Sequence, residues 1–166
     1  MATIPCSDGN QSLSTIHALV VDDFEPFRRF VCSTLGRRPG LQVVGEASDG
    51  LEAVQKAEEL KPDLILLDIG LPALNGIEVS QGISRVAPHA KIVFVTQEAD
   101  PEVVRAVLDH SPRGYVLKVD ANSELLPAVD AVLEDKQFVS TGVNCGALES
   151  CAHKQLNGPS ASSSSK

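Results

Sequence analysis

Five residues that can support phosphoryl transfer stand directly after short apolar runs of the chain. Asp22 and Asp23 follow the first run, Asp68 the third, Thr96 the fourth and Lys118 the fifth. A carboxylate can attack phosphorus as a nucleophile, and an ammonium or a hydroxyl can stabilise charge on the transferring oxygens. These residue types predict Asp68 as the nucleophile, with Lys118 and Thr96 contacting the phosphoryl group.

The three carboxylates also predict a divalent cation. Two unit charges about 4 Å apart interact by roughly 4 kcal/mol at an effective dielectric constant near 20, and Lys118 can balance only one of them. Mg²⁺ prefers oxygen ligands, takes one or two carboxylates and keeps water positions for a phosphate. We therefore assign Mg²⁺ to Asp23, helped by Asp22, beside Asp68. Neither His nor Cys stands at these strand ends, so no zinc site is predicted.

The elements that must position these residues are five strand–helix units. Short runs rich in Val, Ile and Leu predict strands at 16–21, 41–45, 63–67, 91–96 and 114–117. Most of them lack alternation, as is typical of strands buried on both faces. The segments between them have helical periodicity; Phe27, Val31 and Leu35, for example, recur on one face.

Alternating strands and helices predict an α/β fold, a parallel sheet with helices on both faces. Right-handed crossovers place the carboxyl ends of all strands at one edge, where open sheets of this kind bind ligands. The five residues named above are therefore expected to meet in one crevice.

Composition divides the 166 residues into three zones. We predict a flexible leader at 1–15, one domain at 16–139 and a flexible Ser-rich tail at 140–166, because the two end segments have too few apolar residues to offset the entropy of ordering. No apolar run is long enough to span a membrane, and we see no signal peptide. The chain is expected to be cytoplasmic and to have no membrane partner.

The charge balance argues against nucleic acid as a partner. Only 14 Lys and Arg stand against 22 Asp and Glu, and aromatic residues make up 4% of the chain. Binding to DNA or RNA depends largely on basic side chains at phosphates and on aromatic stacking. The four cysteines show no tight pairing and are interpreted as free thiols in a reducing compartment.

The chain resembles the receiver domains of two-component response regulators over roughly residues 16–139. The motifs that carry the resemblance are VVDD at 20–23, LLDIGLP at 66–72, NG at 75–76, FVT at 94–96 and GYVLK at 114–118. The segments 68–72, 75–78 and 138–140 are most similar to the subfamily that couples receivers to LuxR-type (NarL/FixJ) helix-turn-helix domains. The 27 residues after 139 show no such domain.

The resemblance implies a doubly wound, flavodoxin-like sheet of five strands in the order 2-1-3-4-5. It implies phosphoryl transfer to Asp68 from a sensor histidine kinase or a phosphotransfer protein, with the carbonyl of Gly70 as a further Mg²⁺ ligand. After phosphorylation, Thr96 would move toward the phosphate and Tyr115 would turn inward. This would change the face made by the fourth helix, fifth strand and fifth helix, and it allows a homodimer. The protein would be a signalling switch and not a turnover enzyme, since it catalyses only its own phosphorylation and dephosphorylation.

Two positions beside the predicted site residues depart from the pattern of the family. Val119 follows Lys118 where many receivers have a cis proline. A cis bond before a residue other than proline costs roughly 2.5–4 kcal/mol, so we expect a trans bond here. Gln97 follows Thr96 where a small residue is usual, and it is expected to narrow access to Asp68.

Other functions remain open at this point. One alternative is a receiver-like binding module that does not depend on phosphorylation, and another is the receiver fragment of a longer DNA-binding regulator. A phosphatase of the haloacid dehalogenase type would need a second Asp where this chain has Gly70. A flavin binder would need a phosphate-binding loop of Ser, Thr and Gly in place of Asp22 and Asp23.

Overall fold

A computed structural model of the chain describes residues 14–97, 100–109 and 114–143. Within them, six strands form one parallel sheet in the order β2-β1-β3-β4-β5-β6. The strands are β1 Ile16–Val21, β2 Leu41–Ala47, β3 Leu64–Leu67, β4 Lys91–Thr96, β5 Gly114–Leu117 and β6 Phe138–Val139. The helices are α1 Glu25–Leu35, α2 Gly50–Leu60, α3 Gly76–Val86, α4 Pro101–Asp109 and α5 Ala121–Leu133, with a short 3-10 helix at Lys118–Asp120.

The strand order confirms the predicted 2-1-3-4-5 arrangement and adds a sixth strand at the β5 edge. A strand of two residues is too short to show a period in the sequence, which is why β6 was not predicted. β2 also runs two residues beyond its predicted end. Ala18 of β1 pairs with Val43 of β2, and the next residue, Leu19, pairs with Gly45. The register of the two strands therefore shifts by one residue after Ala18.

Both faces of the sheet are buried, which explains the nearly continuous apolar runs in its strands. Alternate strand residues point to opposite faces. Leu19, Ile65 and Phe94 belong to the core on the side of α2, α3 and α4. Val20 and Leu66 belong to the core on the side of α1 and α5. Every residue of β3, the strand before Asp68, is buried. Among the described helices, none has the length and apolar composition of a membrane span.

The chain stays packed on the domain beyond β6. The Ser140 N–H donates to the Tyr115 carbonyl at 2.8 Å. The Ser140 hydroxyl contacts the carboxylates of Asp120, at 3.0 Å, and Glu124. The Thr141 hydroxyl donates to Glu124 at 2.7 Å. Ser140 and Val143 are buried, although the predicted tail begins at residue 140. Residues 1–13 of the predicted leader and 144–166 of the predicted tail lie outside the described part of the chain.

Gly76 allows α3 to begin against the backbone that follows β3. Its N–H donates to the Ile69 carbonyl at 2.8 Å. A Cβ atom at Gly76 would lie 2.6 Å from the Ile69 Cα and 2.7 Å from the Asp68 carbonyl oxygen. Both neighbours are backbone atoms, so they cannot turn aside as a flexible side chain would.

Gly76→Ala is therefore expected to lower the free energy of unfolding by about 2 kcal/mol, as overpacked sites do. Urea denaturation followed by circular dichroism measures this. Gly36→Ala is the matched control, because Gly36 is right-handed helical (φ −64°, ψ −16°) and its nearest neighbours would lie at 3.4 Å. Equal stability of the two variants would contradict the crowding at Gly76.

Candidate functional site

Three carboxylates meet at the carboxyl edge of the sheet. Asp22 and Asp23 follow β1 and Asp68 follows β3, and these two strands are hydrogen-bonded neighbours. One oxygen from each carboxylate lies within 4.8 Å of the other two. Asp22 and Asp68 are buried, whereas Asp23 is exposed. The topology thus concentrates three negative charges in one small volume.

Lys118 reaches this cluster from the end of β5. Its Nζ lies 2.7 Å from Asp22 Oδ2 and 3.1 Å from Asp68 Oδ2, although Asp68 is 50 residues away along the chain. β4 lies between β3 and β5 in the sheet, so only a long side chain can span the distance. Lys118 therefore neutralises part of the cluster from two strands away.

Backbone N–H groups orient the two buried carboxylates. Asp22 Oδ1 accepts from the Phe24 N–H at 2.8 Å, and Asp68 Oδ1 accepts from the Gly70 N–H at 3.0 Å. The second oxygen of each carboxylate faces Lys118. Each carboxylate is thus held at one oxygen by the loop that follows its own strand.

Burial makes the cluster costly to keep charged. It raises the pKa of the Asp22 carboxyl, and the hydrogen bonds from Lys118 and the Phe24 N–H only partly oppose this effect. Burial also acts to lower the pKa of Lys118, but its hydrogen bonds and charge interactions with Asp22 and Asp68 outweigh that effect, so the pKa of Lys118 is raised. Lys118 is therefore a cation at neutral pH. Ionised Asp22 destabilises the folded state, and a second cation bound beside it would offset this effect.

A cavity of about 830 Å³ opens over the cluster. Its lining includes Asp23, Asp68 and Lys118 together with Thr96 and Gln97. Thr96 is buried at the end of β4, and Gln97 beside it is exposed. The structure therefore brings Thr96 to the same crevice as the carboxylates and the lysine.

The loop after Lys118 has the predicted trans geometry. No cis peptide bond occurs among the described residues, so Lys118–Val119 is trans. Val119 is 84% exposed and contributes to the lining of the cavity.

Tyr115, the predicted switch residue, is fully buried in the middle of β5. Its backbone pairs with Phe94 of β4 and Val139 of β6. The switching role of Tyr115 stays a prediction.

Phe27 and Arg28 of α1 contact the site but carried no motif in the sequence. The Lys118 Nζ lies 4.7 Å from the centroid of the Phe27 ring. Arg28 Nη1 donates to the Asp22 carbonyl oxygen at 2.8 Å, and its Nε donates to Glu46 at 2.8 Å. Helical periodicity assigned Phe27 to the core-facing stripe, and only the orientation of α1 over the strand ends shows these contacts.

Cys32 lies one helical turn beyond Arg28 and is a free thiol, as predicted. The other three cysteines lie outside the described residues. Burial, reinforced by the negative charge of Glu46, raises the pKa of the Cys32 thiol to about 11. The thiolate is the reactive form, so Cys32 is expected to react slowly with alkylating reagents at neutral pH.

A variant that retains only Cys32 is expected to react with iodoacetamide about a hundredfold more slowly in the folded state than in the unfolded state at about pH 8. The reason is that the folded state has a thiolate fraction lower by that factor. The rate in the folded state should keep rising until the pH approaches 11. Equal rates for the folded and urea-unfolded variants would contradict the raised pKa.

The sequence is similar to bacterial signalling proteins. The response regulator receiver domain family matches residues 18–130. Response regulator GacA of Pseudomonas viridiflava is 37% identical over 126 residues, which are 75% of this chain and 58% of that protein. Transcriptional regulatory protein LiaR of Bacillus subtilis is 32% identical over 142 residues, 86% of this chain and 67% of LiaR. The chain thus spans less than two thirds of the length of GacA.

Solved structures show the same fold. A LuxR-family two-component response regulator from Aurantimonas sp. SI85-9A1 superposes with a TM-score of 0.77 at 29% identity, covering 84% of this chain and 99% of that one. The isolated receiver domain of RcsB from Salmonella enterica serovar Typhimurium, solved in the presence of the phosphomimetic BeF₃⁻, superposes with a TM-score of 0.73 at 26% identity. That match covers 78% of this chain and 96% of the RcsB domain.

Proposed function

Because this chain belongs to the response regulator receiver family, whose members interact with histidine kinases, we propose that Asp68 accepts a phosphoryl group from a sensor histidine kinase or a phosphotransfer protein. The proposal is carried by one observation: Asp68 lines an open cavity, with one oxygen within 4.8 Å of two further carboxylates and one 3.1 Å from the Lys118 ammonium. The chain would then be a phosphorylated signalling switch.

The transfer step follows from the contacts of Asp68. A carboxylate oxygen of Asp68 forms the new O–P bond while the P–N bond to the imidazole of the donor breaks, and the imidazole nitrogen keeps the electron pair and takes a proton from water. Lys118 balances the charge that collects on the phosphoryl oxygens, and the Thr96 hydroxyl donates a hydrogen bond to one of them. The Gly70 N–H keeps the carboxylate oriented.

Mg²⁺ is the cation that we propose for the cluster. Asp23 is exposed and is the most direct ligand, and Asp68 and Asp22 complete the acidic set, since one oxygen of each of the three carboxylates lies within 4.8 Å of the others. The Gly70 carbonyl is proposed as a further oxygen ligand. Oxygen donors of this kind suit a hard divalent ion, which when bound neutralises the carboxylates and the transferring oxygens.

Asp23→Asn is expected to weaken Mg²⁺ binding at least about tenfold, because it removes an exposed charged ligand. The free energy of unfolding without metal should not fall, since the substitution also removes one of three like charges. Isothermal titration calorimetry measures the affinity, and Asp130→Asn, at an exposed carboxylate paired with Arg38, is the control. Unchanged affinity in the Asp23 variant would exclude Asp23 as a ligand.

The output of the switch is also proposed. Thr96 and Tyr115 would respond to the phosphoryl group and alter the α4-β5-α5 face, which would signal to a partner protein; a homodimer formed on phosphorylation is also proposed. LiaR is a transcriptional regulatory protein by name, so the prediction that this chain binds no nucleic acid itself stays a prediction. The cytoplasmic location stays a prediction as well.

The decisive experiment is incubation of the protein with acetyl phosphate and Mg²⁺, followed by intact mass spectrometry. We expect the mass of one added phosphoryl group, removal of that group by neutral hydroxylamine as for an acyl phosphate, and no addition in EDTA. A protein that gains no phosphoryl group from acetyl phosphate or from a phosphorylated histidine kinase would overturn the proposal in favour of a binding module independent of phosphorylation.

A further inference from the structure

We propose that Phe27 is a positioning residue for phosphoryl transfer, holding the Lys118 ammonium over the site through a cation–π contact. The Nζ of Lys118 lies 4.7 Å from the centroid of the Phe27 ring, within the range of about 6 Å over which the face of a ring attracts a cation. The inference rests on the function proposed above, since it concerns the lysine that would contact the phosphoryl group.

The position of the Phe27 ring is fixed by the element that carries it. α1 begins just after Asp22 and Asp23, with Pro26 in its first turn. The ring is half-buried, lines the cavity and packs against the Phe30 ring at a centroid distance of 5.5 Å. Phe27 therefore forms a wall of the site one helical turn beyond the two aspartates.

The three N–H groups of an ammonium explain what the ring contributes. Two of them account for the contacts of Lys118 with Asp22 and Asp68, and a third can reach a phosphoryl oxygen. The ring attracts the cation through its quadrupole and does not need a particular N–H. Phe27 thus holds Lys118 without competing for the donor that the transfer requires.

The contact gains importance when a divalent cation binds. Such an ion would draw on the same carboxylates that now hold Lys118 and would repel the ammonium. The ring carries no charge for the ion to neutralise, so its attraction for Lys118 persists. We infer that Phe27 keeps Lys118 in place in the state that performs the transfer.

Substituting the ring with fluorine separates this role from packing, because fluorine weakens the quadrupole while nearly preserving the shape of the ring. Mono-, di- and trifluorinated phenylalanine are incorporated at position 27, and in a second series at position 30 as the matched control. We expect the rate of phosphorylation by acetyl phosphate at saturating Mg²⁺ to fall stepwise, by about tenfold over the series at position 27, and to stay constant at position 30. The melting temperature should change little in either series.

A second readout does not depend on phosphorylation. With ¹⁵N-labelled lysine, the ammonium protons of Lys118 in the Mg²⁺-loaded protein should show an upfield ring-current shift that Phe27→Leu removes and Phe27→Tyr retains. A constant rate across the fluorinated series at position 27, or the same shift in the Leu variant, would overturn the positioning role. If the unmodified protein is never phosphorylated, the function proposed above fails, and the ammonium shift still decides whether Phe27 holds Lys118.

Discussion

The Asp68→Asn variant is expected to gain no phosphoryl group under conditions that label the unmodified protein. An amide oxygen at the same position is a far weaker nucleophile than a carboxylate oxygen. Asn has nearly the shape of Asp, so the hydrogen bond from the Gly70 N–H to Oδ1 can be kept. The substitution also removes one of three clustered negative charges, and the variant should be at least as stable without metal as the unmodified chain.

The matched control for this variant lies at the other end of the same strand. Asp63 precedes β3, is exposed, and accepts a hydrogen bond from the His17 N–H at 2.9 Å. Intact mass spectrometry of Asp63→Asn should show labelling equal to that of the unmodified protein. A folded Asp68→Asn protein labelled as fast as this control would rule out Asp68 as the acceptor.

Lys118→Met is expected to act on stability and on chemistry together. Without Lys118, the buried carboxylates of Asp22 and Asp68 lose their shared cation, and breaking a buried ion pair from one side typically costs about 3 kcal/mol or more. The rate of phosphorylation should fall by roughly 10²–10³-fold, because the charge on the transferring oxygens is no longer balanced by a fixed cation.

Mg²⁺ distinguishes this explanation from a simple packing defect. A divalent ion would replace the missing positive charge, so saturating Mg²⁺ should raise the melting temperature of Lys118→Met by more than that of the unmodified chain. Differential scanning calorimetry with and without Mg²⁺ measures both shifts. Lys136→Met, at an exposed lysine paired with Glu134, is the control and should match the unmodified chain. Equal Mg²⁺ shifts in all three proteins would show that Lys118 does not neutralise the cluster.

The fold and the convergence of the acidic residues could be predicted because both follow from periodicity and topology. Apolar runs alternating with helical patterns require a parallel sheet, and a parallel sheet places Asp22 and Asp68 at neighbouring strand ends. The bounds of β1, β4 and β5 agree with the sequence prediction for the same reason. The order of the strands needed the family resemblance, since periodicity does not say which strands pair.

The contacts around the acidic cluster could not be predicted in the same way. They depend on the angle and rotation of α1 over the strand ends, which turns the Phe27 ring toward Lys118 and the Arg28 guanidinium toward the Asp22 carbonyl oxygen. Neither residue belongs to a motif, and a helical stripe predicts burial without saying what is contacted. Packing of β6 and Ser140 against β5 likewise depends on side chains distant in sequence, such as Glu124.

The docking of Ser140–Val143 determines where the chain departs from the sheet. A Cβ atom on Gly142 would lie 2.7 Å from an Asp120 carboxylate oxygen and 2.8 Å from a Leu117 side-chain carbon, so the departing segment rests on the two residues that flank Lys118 and Val119. The position of Ser140–Val143 is therefore fixed relative to the end of β5, which carries Lys118. A displacement of that strand end should therefore move Ser140–Val143 with it, which couples the lysine of the site to the segment that follows β6.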